Sequence, residues 1–155
     1  MAREYARIML SIWSDEDFLA LDSGTQRAFL LLISQPELTT CGVQSYAPRR
    51  WAKKATDTTP RKIEHQIERL ERPRLIILDR DTDELLIRSY VRYDKALRTA
   101  NVAKSLVTTF NQVQSDALQK VIVAELCRLF DECGDNGWTG WNVPGIQLLL
   151  GLGSR

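Results

Sequence analysis

The chain has 155 residues, 44% hydrophobic and 26% charged, with 21 Lys and Arg against 20 Asp and Glu. A chain of this size suits one compact domain, or one domain with an appendage, and buries roughly 70% of its unfolded surface without needing staples to fold. The net charge of +1 argues against a general polyanion binder, while the lack of long apolar runs and of a signal-peptide core after "AREYAR" points away from membrane and secretion, towards a cytosolic protein.

From the amino terminus, "YARIMLSIW" alternates Ile8, Leu10 and Ile12 with other side chains, a period that suits a short strand. Ser14 with Asp17 fits a capping box ahead of "FLAL", and Asp22 or Ser23 suits the cap of a helix over "GTQRAFLLLISQ" that Pro36 stops. "LTTCGVQSY" reads as an extended segment leading to Pro48, a good first helical residue. "PRRWAKKA" then predicts two helical turns burying Trp51, Ala52 and Ala55, broken by "TDTT", where Thr and Asp bond their own backbone. Thr59 suits an N-cap and Pro60 the first residue of a second helix, whose Ile63, Ile67 and Leu70 form one buried stripe until Pro73. Two helices joined so closely make a helix-turn-helix candidate.

The runs "RLIILD" and "LLIRSYV" around the polar turn "RDTDE" predict a hairpin, the wing of a winged helix. Beyond it, Val102, Leu106, Phe110 and Val113 share one face, and after Ser115 and Asp116 so do Leu118, Val121, Ile122, Leu126, Leu129 and Phe130, a helical hairpin. In the Gly-rich tail, Trp138 and Trp141 read as anchors onto a core or a partner. The final "IQLLLGL" either packs on the helical hairpin or makes a homodimer contact. The expected fold class is mainly α with a small β-hairpin: a winged helix-turn-helix domain over residues 1–92, then a C-terminal helical extension over 93–155 packed on it, with an irregular tail.

Charge is blocked along the chain. Residues 49–74 hold nine Lys and Arg against four Asp and Glu, 75–87 one against four, and 88–104 five against one. A nearly neutral protein can therefore present a cationic face. On the 60–72 helix, Arg61, Lys62, His65, Gln66, Arg69 and Arg72 fall in one sector and Glu64, Glu68 and Glu71 in the other, although Glu68 and Arg72 have the spacing of a pair. Arg and Gln suit bidentate contacts to guanine and adenine, so Arg61, Lys62, Gln66 and Arg69 are candidate base readers, with His65 either a reader or a surface residue. Arg49, Arg50, Lys53 and Lys54 are candidate phosphate contacts. The acidic turn Asp79–Glu84 should be repelled by phosphate, so its tip is expected to face away from a duplex or meet a basic partner, while Arg74 and Arg88 at its base approach DNA. Arg88, Arg92, Lys95 and Arg98 either extend this surface or sit on a solvated helix start.

No cofactor or metal is expected. Three cysteines without a CxxC pair and a single histidine are too few for a zinc site, and "DRDTDE" lacks the Gly and Glu of a calcium loop. Without GxSxG, a phosphate loop or HExxH, no catalytic constellation can be assembled by motif. Double-stranded DNA is the expected partner; the alternative is an interaction module whose acidic wing and apolar tail bind a host protein.

The opening "MAREYARIMLSIWSDEDFLAL", the "CGV" before the basic helix and the run "DRDTDELLIRSYVRYD" together resemble small winged helix-turn-helix proteins encoded by actinobacterial phages and prophages, similar to the amino-terminal domain of DnaD-like replication initiation proteins. The resemblance covers roughly residues 1–105. It implies DNA binding in a bacterial host cytoplasm, associated with the nucleoid, in replication initiation or transcription regulation. It also implies a reading helix at Pro60–Arg72 and a wing at Arg74–Tyr90, possible replication proteins among the partners being part of the same expectation.

Overall fold

The computed structural model describes residues 3–153, apart from the side chain of Leu152. Helices α1 (Glu16–Leu19) and α2 (Ser23–Ile33) precede strand β1 (Val43–Ser45), helices α3 (Pro48–Ala52) and α4 (Pro60–Glu71), and strands β2 (Ile76–Asp79) and β3 (Glu84–Ile87). Helices α5 (Tyr90–Tyr93), α6 (Ala100–Asn111), α7 (Asp116–Cys133) and α8 (Pro144–Gly153) follow. The protein is mostly helical around a 3-stranded antiparallel sheet of order β1-β3-β2.

Local chemistry explains the element starts. Asp22 caps α2 by accepting from Thr25 N at 3.3 Å, and Thr59 caps α4 by accepting from Lys62 N at 3.2 Å, with Pro60 first in the helix. Thr99 and Ser115 cap α6 and α7 in the same way. Gly42 precedes β1 with φ +90°, and a Cβ there would meet Tyr90 Cβ at 2.9 Å, so both conformation and space demand glycine.

The sheet is the middle layer. Strand β3 reads "ELLI" and its Leu85, Leu86 and Ile87 are all buried, since alternate side chains enter different cores. Leu85 and Ile87, with Ile76 and Leu78, join Ala28, Leu32, Trp51, Ile63, Ile67 and Leu70 beneath α2, α3 and α4. Leu86 and Val43 join Leu97, Leu106, Leu118, Ile122, Leu126 and Trp141 beneath the C-terminal helices. Full burial of each such side chain contributes roughly 1.5–3 kcal/mol.

Several expectations are corrected. "YARIMLSIW" is not a strand: Leu10–Ser14 is a 3-10 turn, and Ile8 and Leu10 are 51% and 89% exposed. A period of two makes a strand only beside a sheet edge. Just before the segment, the Arg3 guanidinium donates to Gln35 O beyond α2 at 2.6 Å and to Tyr90 Oη of α5 at 3.0 Å. The α1 cap is Asp15, which accepts from Phe18 N, rather than Ser14. On α6 the buried position is Ala103 in place of Val102, which is exposed, and on α7 Phe130 lies at the rim, edge-on to Trp141.

The tail is not irregular: a 3-10 turn over Thr139–Asn142 leads into α8, which packs on both α6 and α7 and buries Ile146 and Leu149. Trp141 is a core anchor whose indole N–H donates to Asn136 Oδ1 at 3.2 Å. Among the described residues no helix is long and apolar enough to cross a membrane.

Candidate nucleic-acid interface

Helix α4 buries Ile63, Ile67 and Leu70, so positions 61, 65, 68 and 72 run along its opposite side. Arg61, His65, Glu68 and Arg72 are all exposed there. The shoulders differ. On one, Arg69 donates to Asp22 Oδ1 at 3.0 Å and Lys62 Nζ donates to Asp57 O at 2.9 Å. On the other, Glu71 pairs with Arg80 at 2.8 Å, bracing the β2-β3 hairpin against α4. Tyr46 lies on this acidic side, where burial and then the Glu64 carboxylate push its phenol pKa up.

Helix α3 brings Arg49 and Arg50 to the surface and the turn after it brings Lys53 and Lys54; all four are exposed. Arg50 makes a bidentate pair with Glu37, at 2.5 and 2.7 Å, which holds the Glu37 carboxyl below its ordinary range. Arg27 joins this group. It is exposed on α2 and donates to Lys54 O at 3.0 Å, a neighbour that sequence reasoning missed. Its one visible signal is that it is the only Lys or Arg between positions 8 and 48. Among the described residues, Arg27, Arg49, Lys53, Lys54, Arg61, Lys62 and Arg72 have no carboxylate partner.

Two expected contacts lie elsewhere. Gln66 turns towards α2: its amide is half-buried with Oε1 unbonded, and a Cβ on Gly24 would come within 3.2 Å of its Nε2. That face of α4 is closed by helix packing. Arg88 is drawn inward because its NH1 donates at 3.0 Å to Glu125, whose side chain is 4% exposed, and its Nε donates to Arg74 O at 2.6 Å. Arg74 itself is exposed at the end of α4 with φ 60°, a left-handed position where a helix commonly ends on glycine.

Much of the second basic block is drawn into ion pairs with α7. Arg128 also pairs with Glu125, at 2.9 Å, and Arg92 pairs with Glu132, so α5 and the end of β3 are tied to α7. Lys95 and Arg98 are exposed, Lys95 in left-handed conformation.

The acidic turn is held by the C-terminal helices. Glu84 accepts from Gln114 N at 3.0 Å and Ser115 N at 2.8 Å, and Asp79 Oδ1 accepts from Asp81 N at 2.9 Å to shape the turn. These backbone donors belong to the N-cap of α7 and the residue before it, next to the positive end of the helix, where a carboxylate is favoured. Asp81 and Asp83 remain outward at the tip.

Cys41, Cys127 and Cys133 are free thiols, and among the described residues no group of His, Cys, Asp and Glu is placed to hold a metal ion. Comparison with family models, curated proteins and solved structures finds no match to this chain.

Proposed function

We propose that the protein is a winged helix-turn-helix that binds duplex DNA with α4 facing the major groove and the α2-α3 side against phosphates. The observation that carries the reading is the sorting of the cations. Those on α2, α3, α4 and the turn between the last two are exposed and mostly without carboxylate partners, while Arg80, Arg88, Arg92 and Arg128 are held in ion pairs and only Lys95, Arg98, Lys104 and Lys120 stand exposed and unpaired in the stretch from 76 to 153 among the described residues. Seven exposed cations without a carboxylate partner, carried on or beside α2, α3 and α4, support an electrostatic footprint for a polyanion. The order of helices and strands from α2 to β3, with sheet order β1-β3-β2, supports the winged-helix reading.

In this reading Arg49, Lys53, Lys54 and Arg27 grip phosphate, and Arg61, His65, Arg69 and Arg72 approach base edges, Arg69 by exchanging Asp22 for DNA. Arg50 and Arg74 lie at the rim, and Gln66 and Arg88 take no part. The acidic flank of α4 and the hairpin tip repel phosphate, which orients the duplex towards the α2-α3 side. The resemblance to phage and prophage proteins supports a place in replication initiation or transcription regulation. Because Ile146 and Leu149 are buried within the chain, the reading does not require dimerisation through the tail.

Equilibrium binding to a random duplex pool over a salt series tests it. Affinity that falls steeply as salt rises is expected, since each phosphate contact releases counterion. Salt-insensitive association, or none at low salt, excludes it.

A further inference from the structure

We infer that Glu68 sets the base preference of this interface by accepting from the N4 amine of a cytosine, between guanine contacts made by Arg61 and Arg72. The inference rests on the DNA reading above.

The outward row Arg61, His65, Glu68 and Arg72 spans roughly 16 Å of helix, about the length of four to five base pairs. Glu68 is exposed in the middle of that row, and among the described residues its carboxylate makes no ion pair or hydrogen bond, although it is near enough to Arg80 to act on it electrostatically. Its spacing to Arg72 allows the pair that a merely solvated helix makes, yet that pair is not formed. Glu71, one turn side away, behaves differently and is taken by Arg80.

A free carboxylate facing phosphates is repelled, so it weakens every complex that offers it no donor. In the major groove, cytosine presents N4–H₂ as a donor with no acceptor of its own, the edge a carboxylate recognises. The same residue therefore favours one base and disfavours the non-specific complex, the two halves of a specificity device. Withdrawal of Gln66 towards Gly24 removes the residue best suited to adenine, leaving the row composed of arginines, a histidine and this carboxylate.

The test is selection from a random duplex pool with wild type, Glu68→Gln and Glu68→Ala, alongside titration of the unselected pool. Glu68 is exposed, so both variants should keep the fold. Wild type should enrich cytosine at one position flanked by guanines, with discrimination there of about tenfold. Glu68→Gln should move that preference to adenine. Glu68→Ala should erase it while binding the unselected pool roughly two- to fivefold more tightly, the size of an exposed charge interaction. If Glu68→Ala and wild type enrich the same sequence, the assignment of Glu68 is overturned while DNA binding stands. If wild type binds no duplex at low salt, the DNA reading fails and this inference with it.

Discussion

Ser115 Oγ donates to Asp79 Oδ2 at 2.5 Å, joining the tip of the β2-β3 hairpin to the first turn of α7 across 36 positions of sequence. The same hydroxyl oxygen accepts from Leu118 N at 3.1 Å, so one side chain caps a helix and anchors a hairpin. Ser115→Ala should lower stability by about 1–2 kcal/mol, read as a shift of the urea midpoint. Duplex affinity should be unchanged, because this contact lies away from α4.

Docking and reading should separate by mutation. Lys53→Ala should weaken binding to all sequences alike and reduce the salt slope by about one. Arg61→Ala should instead change which sequence is preferred, with discrimination at its base lowered by roughly 1–3 kcal/mol. Equal effects of the two variants on the selected sequence would refute the division.

Arg88→Ala should cost stability and spare DNA binding. Removing this cation leaves the buried Glu125 carboxylate with Arg128 alone, whose side chain is 53% exposed. Breaking one side of a buried pair costs about 3–5 kcal/mol. The remaining Arg128 contact and the partial exposure of Arg88 reduce this to roughly 2 kcal/mol, measurable by chemical denaturation. Loss of duplex affinity in a folded Arg88→Ala protein would place Arg88 back in the interface.

Several charged partners predict acid sensitivity. The Ser115 hydroxyl and two backbone N–H groups hold the Asp79 carboxyl below its ordinary 3.8, and Arg92 holds Glu132 below 4.5. A depressed folded-state pKa gives stability that is fully present above the unfolded value and lost as pH falls through the folded one. Asp94 acts in the opposite sense, since burial raises its pKa above 3.8 and its ionisation opposes folding as pH rises. The stability gap between wild type and Asp79→Asn should therefore be largest near neutrality and shrink as pH falls below 3.8. Urea midpoints over a pH series check this.

What the sequence made legible was chiefly local. The Thr59 cap, the Pro60 start and the Ile63–Ile67–Leu70 stripe depend on neighbours within one helix, and the structure has each of them. The charge sectors of α4 were readable only in part, since Glu68, assigned to the acidic sector, lies in the same outward row as Arg61, His65 and Arg72. Gln66 belongs to the basic sector by angle, but whether it meets solvent depends on how closely α2 approaches, and Gly24 allows that approach. The inward turn of Arg88 was not legible because its partner, Glu125, is 37 positions away. Alternation in "YARIMLSIW" suggested a strand because pattern alone carries no information on whether a sheet edge is there to receive it. The packing of α8 on both α6 and α7 was likewise a matter of tertiary structure.

The most direct test of the central claim is fluorescence anisotropy with a random duplex pool, comparing wild type with an Arg61→Ala, Lys62→Ala, Arg69→Ala triple variant across a salt series. A folded variant that loses binding, while wild type binds with a steep inverse dependence on salt, is the predicted result. Equal binding by the two proteins, or no binding by wild type at low salt, would contradict the assignment of α4 as a DNA-facing helix.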